Sequence, residues 1–580
     1  MTTYTVSDDV FVPMRDGTRL ATTVLRPDGG EKVPALLIRT PYGKTWQDLA
    51  YTTIVPPLAL VEAGFAVVIQ LNRGMFGSEG TFTPFVDDAA DGEDAVRWLC
   101  EQPWCDGNVG TFGSSYLGFT QWHTASTGVK GLGAMAPMLA SGDLYRAPMY
   151  SPGGAMSLST QLGWSYYQAM NVLRSDPELD VEKARDLGAL GAALGDVDAL
   201  AWHTPVGDHP LLDRYLPRIV DLALRRPERD ETWQALSRID QAAEIMVPAL
   251  STAGWYDPFM SENLRAYTVM KAQGGSVEAR EGQRLIIGPW THADYSGVFP
   301  SRDFGVAADL QAAGVAGDHL AFFDRWLRGR ADALDGKAPV RVFVMGLDQW
   351  RDEADWPLPD TRYVPYFLDG AGPANTAEGA GRLTAADPAH EAADTYLYDP
   401  RRPVPTLGGT TIQTRGFRGG PMDQRPVHGR DDVLCFSTEV LDEPLEVTGP
   451  VSATLFVSSS AADTDFTAKL VDVHPDGRAI ILCDGIQRMR YRHSLSRPET
   501  MSSGEVYEIT IDMTATSNVF LPGHRILLEV SSSNFPRYDR NSNTGGVLHE
   551  ERESDMIVAV NHVHRGPEHP SRLILPVISR

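Results

Sequence analysis

The chain has 580 residues, 42% of them hydrophobic, and 51 basic against 76 acidic side chains give a formal net charge of −25. That length exceeds what one core supports and points to two or three domains. The negative balance argues against a nucleic-acid partner, which is held by clustered basic side chains, and no apolar run approaches the ~20 residues that cross a bilayer.

The first 15 residues, Met1 to Arg15, carry Asp8 and Asp9 and lack a basic start followed by an apolar run, so no secretory leader is expected and a cytoplasmic location is the default. Short apolar runs then alternate with helical patterns. Ala35-Leu36-Leu37-Ile38 and Phe65-Ala66-Val67-Val68-Ile69 read as strands covered on both faces. A helix is predicted next, with Ala95, Trp98, Leu99 and Gln102 on one face and Asp91, Glu93 and Asp94 loading its first turn. The strand-like run Asn108 to Phe112 leads into Gly113-Ser114-Ser115-Tyr116-Leu117-Gly118 and a helical run through Gln121, Trp122 and Ala125. Strand, helix, strand is an α/β signature.

From Asp143 to about Ala243 the residues favour helix without strands, which predicts a helical insertion acting as lid or pocket wall. Buried-strand runs resume at Val247 to Ser251 and Arg284 to Ile287, and an amphipathic helix is predicted from His319 to Leu327. Residues 369–395, rich in Gly, Ala, Pro and acidic side chains, read as long connecting loops. Beyond them alternation of period two dominates, with Val451, Ala453, Leu455 and Val457 on one face, then Tyr507, Ile509, Ile511 and Met513, then Ile526, Leu528 and Val530. That pattern predicts a β-sandwich or jelly roll. Four cysteines, Cys100, Cys105, Cys435 and Cys483, lack CxxC or zinc spacing and read as reduced, buried side chains.

The turn at Ser115 is where chemistry is expected. A serine between a strand and a helix is lifted out of the backbone, with the helix N-terminus beneath to favour negative charge. The usual pattern has glycine two residues either side, and here Leu117 holds the second place with Gly118 one further on. Ser114 is the poorer nucleophile, being flanked at that spacing by Phe112 and Tyr116. A serine needs a base, and His292 follows the strand Leu285-Ile286-Ile287 in Gly288-Pro289-Trp290-Thr291-His292. Asp257, in Ala253-Gly254-Trp255-Tyr256-Asp257, supplies an orienting acid. All three are predicted at the carboxyl edge of a parallel sheet, in the chain order Ser, Asp, His of α/β-hydrolases. Asp294 is too near His292 to come from a separate strand, and His123 falls inside the helix after the turn.

An oxyanion needs donors. The backbone N–H of Tyr116 is one, and the loop Arg39-Thr40-Pro41-Tyr42-Gly43-Lys44 offers either an amide or the Tyr42 hydroxyl, a packing role for Tyr42 being equally open. No metal site is expected, since the pair His562 and His564 and the run His549-Glu550-Glu551 lack a clear third ligand.

With Met14-Arg15-Asp16-Gly17, Arg39 to Gly43, Asn72-Arg73-Gly74, Gly113 to Trp122, Asp143 to Pro148, Gly254 to Asp257 and Gly288 to His292 taken together, the chain resembles the cocaine esterase and X-prolyl dipeptidyl peptidase family of serine hydrolases over essentially its whole length, nearest to its cocaine esterase branch. The resemblance implies an α/β-hydrolase domain at 1–143 and 244–350, a helical insertion or lid at 144–243 and a jelly-roll domain at 351–580. It makes Ser115 the nucleophile, His292 the base and Asp257 its partner, with the Tyr42 hydroxyl and Tyr116 amide as oxyanion donors. It places Trp164 and Phe259 in an aromatic acyl pocket, and Met149 where that branch has a tryptophan. Leu117 stands where related α-amino acid ester hydrolases have a glutamate, which favours an apolar or aromatic acyl group. The expected activity is carboxylic-ester hydrolysis through an acyl-enzyme on a small-molecule substrate, without cofactor, metal or membrane, and a homodimer is implied. The alternatives are an X-prolyl dipeptidyl peptidase, an α-amino acid ester hydrolase or β-lactam acylase, or a noncatalytic carbohydrate-binding protein.

Overall fold

The computed structural model describes residues 3–43, 55–412 and 418–580; Lys44, the end of the loop after the first predicted strand, lies outside them. A ten-stranded sheet is built from β1 (Tyr4–Pro13), β2 (Arg19–Pro27), β3 (Val33–Thr40), β4 (Ala66–Leu71), β5 (Cys105–Ser114), β6 (Leu132–Met138), β7 (Leu250–Tyr256), β8 (Arg284–Thr291), β9 (Val340–Val344) and β10 (Gln349–Glu353), in the order β1-β2-β4-β3-β5-β6-β7-β8-β9-β10. The run from β4 to β9 is parallel. After β3 the chain crosses to β4 on one side and then returns to β5 on the other, so the order reverses at β3 and opens a crevice beyond the strand ends there.

The predicted strands are continuously apolar because both sheet faces are covered. Leu36 and Ile38 pack with Phe322, Phe323 and Leu327 of one helix, while Ala35 and Leu37 point the other way against Ala95, Val96, Leu99, Trp122 and Ala125. The helices that matter for the site are α1 (Pro57–Glu62), α2 (Asp88–Cys100), α3 (Tyr116–Ala125), α4 (Leu158–Ser175), α5 (Val181–Leu194), α6 (Met260–Gln273) and α7 (Val315–Leu327). Between β6 and β7 the chain forms α4, α5 and several shorter helical pieces, three of them started by Asp180, Asp196 and Asp230, whose side chains accept from backbone N–H groups of the first turn.

Beyond the first sheet, eleven strands between Arg362 and Ile578 make a second one, antiparallel except for one contact between Arg382 and Ser437 among the described residues. Its inward residues, among them Ala453, Leu455, Ile511 and Leu528, share one core with Trp255, Leu285, Ile287 and Val342 of the first sheet. The two sheets therefore meet without an intervening solvent layer.

Three local expectations need correction. Helix α2 starts at Asp88, so Asp88 and Asp91 occupy its first turn, whereas Glu93 and Asp94 lie beyond it and bind the Arg15 guanidinium at 2.7 and 2.8 Å. Gln102 lies past its end. Residues 369–395 are not loop throughout, because Arg382–Thr384 and Ala392–Tyr398 are strands of the second sheet; alternate residues of the latter are buried, Asp394 among them, where it pairs with Arg565 at 2.7 Å. Strand β10 still belongs to the first sheet, so the expected boundary at 350 cuts it. The four cysteines are free, and three are buried, while Cys100 is half-buried.

Candidate active site

Ser115, Asp257 and His292 are each the first residue after a strand of the parallel sheet, following β5, β7 and β8. Ser115 has φ 58° and ψ −125°, a left-handed turn that a serine adopts only under constraint. Its amide donates to the Met138 carbonyl at 3.0 Å, which ties the turn to the end of β6. Gly113 is required beside it, since φ is +126° and a Cβ there would strike Leu117 at 2.7 Å. Gly118 serves a different purpose: a Cβ would come within 2.3 Å of Ala140, so this glycine lets α3 approach the chain after β6. That is why the second glycine falls one residue late. Ser114 remains in the strand as its last residue.

The His292 Nε2 lies 3.1 Å from Ser115 Oγ, and its Nδ1 lies 2.7 Å from Asp257 Oδ2. Asp257 is fully buried, and its other oxygen accepts from the Phe259 amide at 2.8 Å, so the carboxylate is fixed from both sides. The Tyr295 hydroxyl donates to the His292 carbonyl at 3.0 Å, and the Phe259 ring lies 5.2 Å from the imidazole. A hydroxyl, an imidazole and a carboxylate in line can move a proton off oxygen while holding the resulting imidazolium.

Sequence comparison agrees with this geometry. Residues 16–294 match the X-Pro dipeptidyl-peptidase (S15 family), and residues 332–574 match the X-Pro dipeptidyl-peptidase C-terminal non-catalytic domain. Over 577 residues the chain is 55% identical to the cocaine esterase of Rhodococcus sp. (strain MB1 Bresler), covering 100% of this chain and 99% of that one. The chain belongs to this family. It is a serine hydrolase with a C-terminal β domain. An α-amino acid ester hydrolase of known structure superimposes with a TM-score of 0.79 at 26% identity, covering 99% of this chain and 96% of that one. An aminopeptidase from the archaeon Thaumarchaeota archaeon does so equally, at 0.79 and 26%, covering 99% and 97%.

In the hydrolase, Tyr42 stands beside Ser115. Its hydroxyl accepts from the Trp164 indole Nε1 at 3.0 Å. Burial pushes the phenol well above its usual range, so it stays a donor. Tyr116 heads α3, where the first amides have no partner within the helix. Its ring is held from below: the hydroxyl donates to Asp88 Oδ2 at 2.7 Å and accepts from the Phe85 amide at 3.1 Å. Asn72 Nδ2 donates to the other Asp88 oxygen at 2.8 Å, and Arg39 donates to the Asp88 carbonyl at 2.6 Å.

Met149, Trp164 and Phe259 line one apolar pocket with Ser115 and Tyr116. The pocket holds about 430 Å³ of empty space, part of it open to solvent. Sequence reasoning missed Phe85, Phe119, Leu144, Pro148, Thr160, Gln161 and Ile412, which complete the wall. Phe119 was within reach, one turn along the helix from Ser115; Ile412 comes from the C-terminal domain, and nothing local marks it.

The side chains set aside from the sequence lie elsewhere. His123 is fully buried against the Phe119 ring at 3.9 Å, with burial holding it well below its usual range. Asp294 Oδ1 accepts from the amide and hydroxyl of Ser296. His562 and His564 bond Thr395 and Ser458 at 2.8 and 2.9 Å. Among the described residues Asp472, His474 and His524, in the C-terminal domain, form a group with metal-ligand atoms in mutual reach, and there His524 Nδ1 bonds Asp472 at 2.7 Å.

Proposed function

We propose that the protein is a carboxylic-ester hydrolase that acts on small-molecule esters with an apolar or aromatic acyl group. The observation that carries this reading is the line of Ser115, His292 and Asp257 opening onto an aromatic pocket. Ser115 Oγ attacks the acyl carbon as its proton passes to His292 Nε2, and Asp257 holds the imidazole in the useful tautomer and stabilises its charged form. The oxyanion is met by the Tyr42 hydroxyl and the Tyr116 amide. Collapse expels the alcohol, which takes the proton from His292. Water then attacks the acyl-enzyme with His292 again as base, and the acid departs. No metal or cofactor enters these steps.

Leu117, buried in the core, supports the choice of acyl group, because it offers no carboxylate to a substrate ammonium. The helices of 144–243 act as pocket wall, and the region after β10 forms a jelly roll that contributes Ile412. A homodimer and a cytoplasmic location belong to the same proposal.

The test is burst release from a p-nitrophenyl ester. Wild type should show the burst and Ser115→Ala should abolish it with the circular dichroism unchanged; a burst from the variant would remove Ser115 as the acylated residue. Parallel assays with X-Pro anilides separate ester from peptide cleavage, and fluorophosphonate labelling separates both from a noncatalytic protein.

A further inference from the structure

We propose that Gln161 makes the acyl pocket selective for aromatic acyl groups bearing an acceptor oxygen, such as a ring hydroxyl, over plain benzoyl groups; this rests on the esterase reading above. Gln161 lies in the first turn of α4, 1% exposed, and its side chain lines the pocket with Phe85, Phe119, Met149, Trp164 and Phe259. Its amide Nε2 is buried and meets no hydrogen-bond partner. Ser165 Oγ and Gln168 Nε2, farther along α4, are also unpartnered, but neither lines the pocket. Among the described residues that line the pocket, Gln161 alone has a fully buried side-chain donor without a partner.

Folded proteins leave few buried polar atoms unmet, because an N–H that loses water and gains nothing is costly. An aromatic pocket has no need of a carboxamide for packing, and a leucine or methionine would fill the same volume. Nε2 is closed off from water, and a hydrocarbon ring packed against Gln161 gives it nothing either. A ring oxygen accepts its hydrogen bond instead. Sites built around a buried donor discriminate against ligands that lack the acceptor far more sharply than apolar walls discriminate by size. Thr160, adjacent in sequence, adds a hydroxyl to the same wall.

The experiment compares kcat/KM for p-nitrophenyl benzoate with that for the 3- and 4-hydroxybenzoate esters, in wild type and in Gln161→Met, which keeps length and loses the donor. Taking the ratio between the two proteins cancels the electronic effect of the hydroxyl on the ester. For at least one isomer the preference over benzoate should fall roughly tenfold in the variant, the worth of about one hydrogen bond. A ratio unmoved for both isomers overturns the proposal. Wild type alone gives a second measurement, independent of whether the variant folds. A 3- or 4-hydroxyphenylboronic acid should inhibit roughly tenfold more tightly than phenylboronic acid, and equal or weaker inhibition by both also overturns the proposal. If wild type cleaves none of the esters, the esterase reading itself fails and takes this inference with it; if benzoate is cleaved and the ratios do not move, only the role of Gln161 falls.

Discussion

The Trp164 indole donates to the Tyr42 hydroxyl at 3.0 Å, so one wall of the pocket at Ser115 aims the group proposed to meet the oxyanion. Removing the phenol hydroxyl and removing its anchor should therefore differ in degree. Tyr42→Phe is expected to lower kcat by about 10²-fold with little change in KM, because the lost interaction forms only as charge develops. Trp164→Phe keeps an aromatic wall and leaves the hydroxyl free to turn, so its loss in kcat should be nearer tenfold. In the double variant the anchoring effect has nothing left to act on, and steady-state kinetics should show no further fall in kcat from that source.

Alkaline behaviour follows from the same phenol. Burial raises its ionisation above the usual phenol value of about 10, so Tyr42 remains a neutral donor where exposed tyrosines have begun to ionise. The acyl-transfer rate should hold its plateau up to about pH 10, and the ultraviolet difference spectrum of wild type minus Tyr42→Phe should show no phenolate below that pH. The linkage sign agrees. A raised folded-state value contributes stability that is intact below the unfolded value and is lost as pH rises through the folded one.

Asp257 is fully buried and holds one oxygen on the Phe259 amide and the other on His292. Asp257→Asn keeps the shape but presents an N–H or a weaker acceptor to Nδ1, which favours the wrong tautomer at Nε2. A loss of about 10⁴-fold in kcat is expected, with fold and KM preserved. A variant within tenfold of wild type would mean that the carboxylate merely packs.

These residues were legible because each follows a strand whose apolar run is unbroken in the sequence, and a parallel sheet puts all such ends on one edge. The second sheet was legible for the same kind of reason, through alternation at Val451 to Val457 and Ile509 to Met513 that the burial pattern repeats. What stayed hidden depends on contacts between distant segments. Nothing local marks Asp88, and only the fold brings Asn72, Arg39 and Tyr116 around it. Ile412 reaches the pocket from a domain whose local pattern says only strand or turn. Glu93 and Asp94 looked like dipole partners until Arg15, 79 residues from Asp94, claimed both carboxylates.

Stability at the contact between the helical segment and the C-terminal domain rests on Arg488. It is 1% exposed and pairs with Asp465 at 2.8 Å and Asp539 at 2.9 Å, while Asp539 also accepts from the Met156 amide at 2.9 Å. Arg488→Met would leave two buried carboxylates facing each other, and removing one partner of a buried ion pair typically costs about 3–5 kcal/mol. Even with the guanidinium present, burial pushes Asp465 up to about 6. A raised carboxyl contributes stability below its unfolded value and loses it as pH rises through the folded one, and without Arg488 that loss grows. The deficit of the variant should therefore be small near pH 4 and should widen on going to pH 7, read as the half-life of activity at a fixed elevated temperature because a chain of this size is judged by rate. Adding Asp465→Asn and Asp539→Asn to Arg488→Met should flatten the pH dependence, since neither amide titrates. A deficit equal at both pH values would place the cost in lost packing of the arginine stem instead of in the stranded carboxylates.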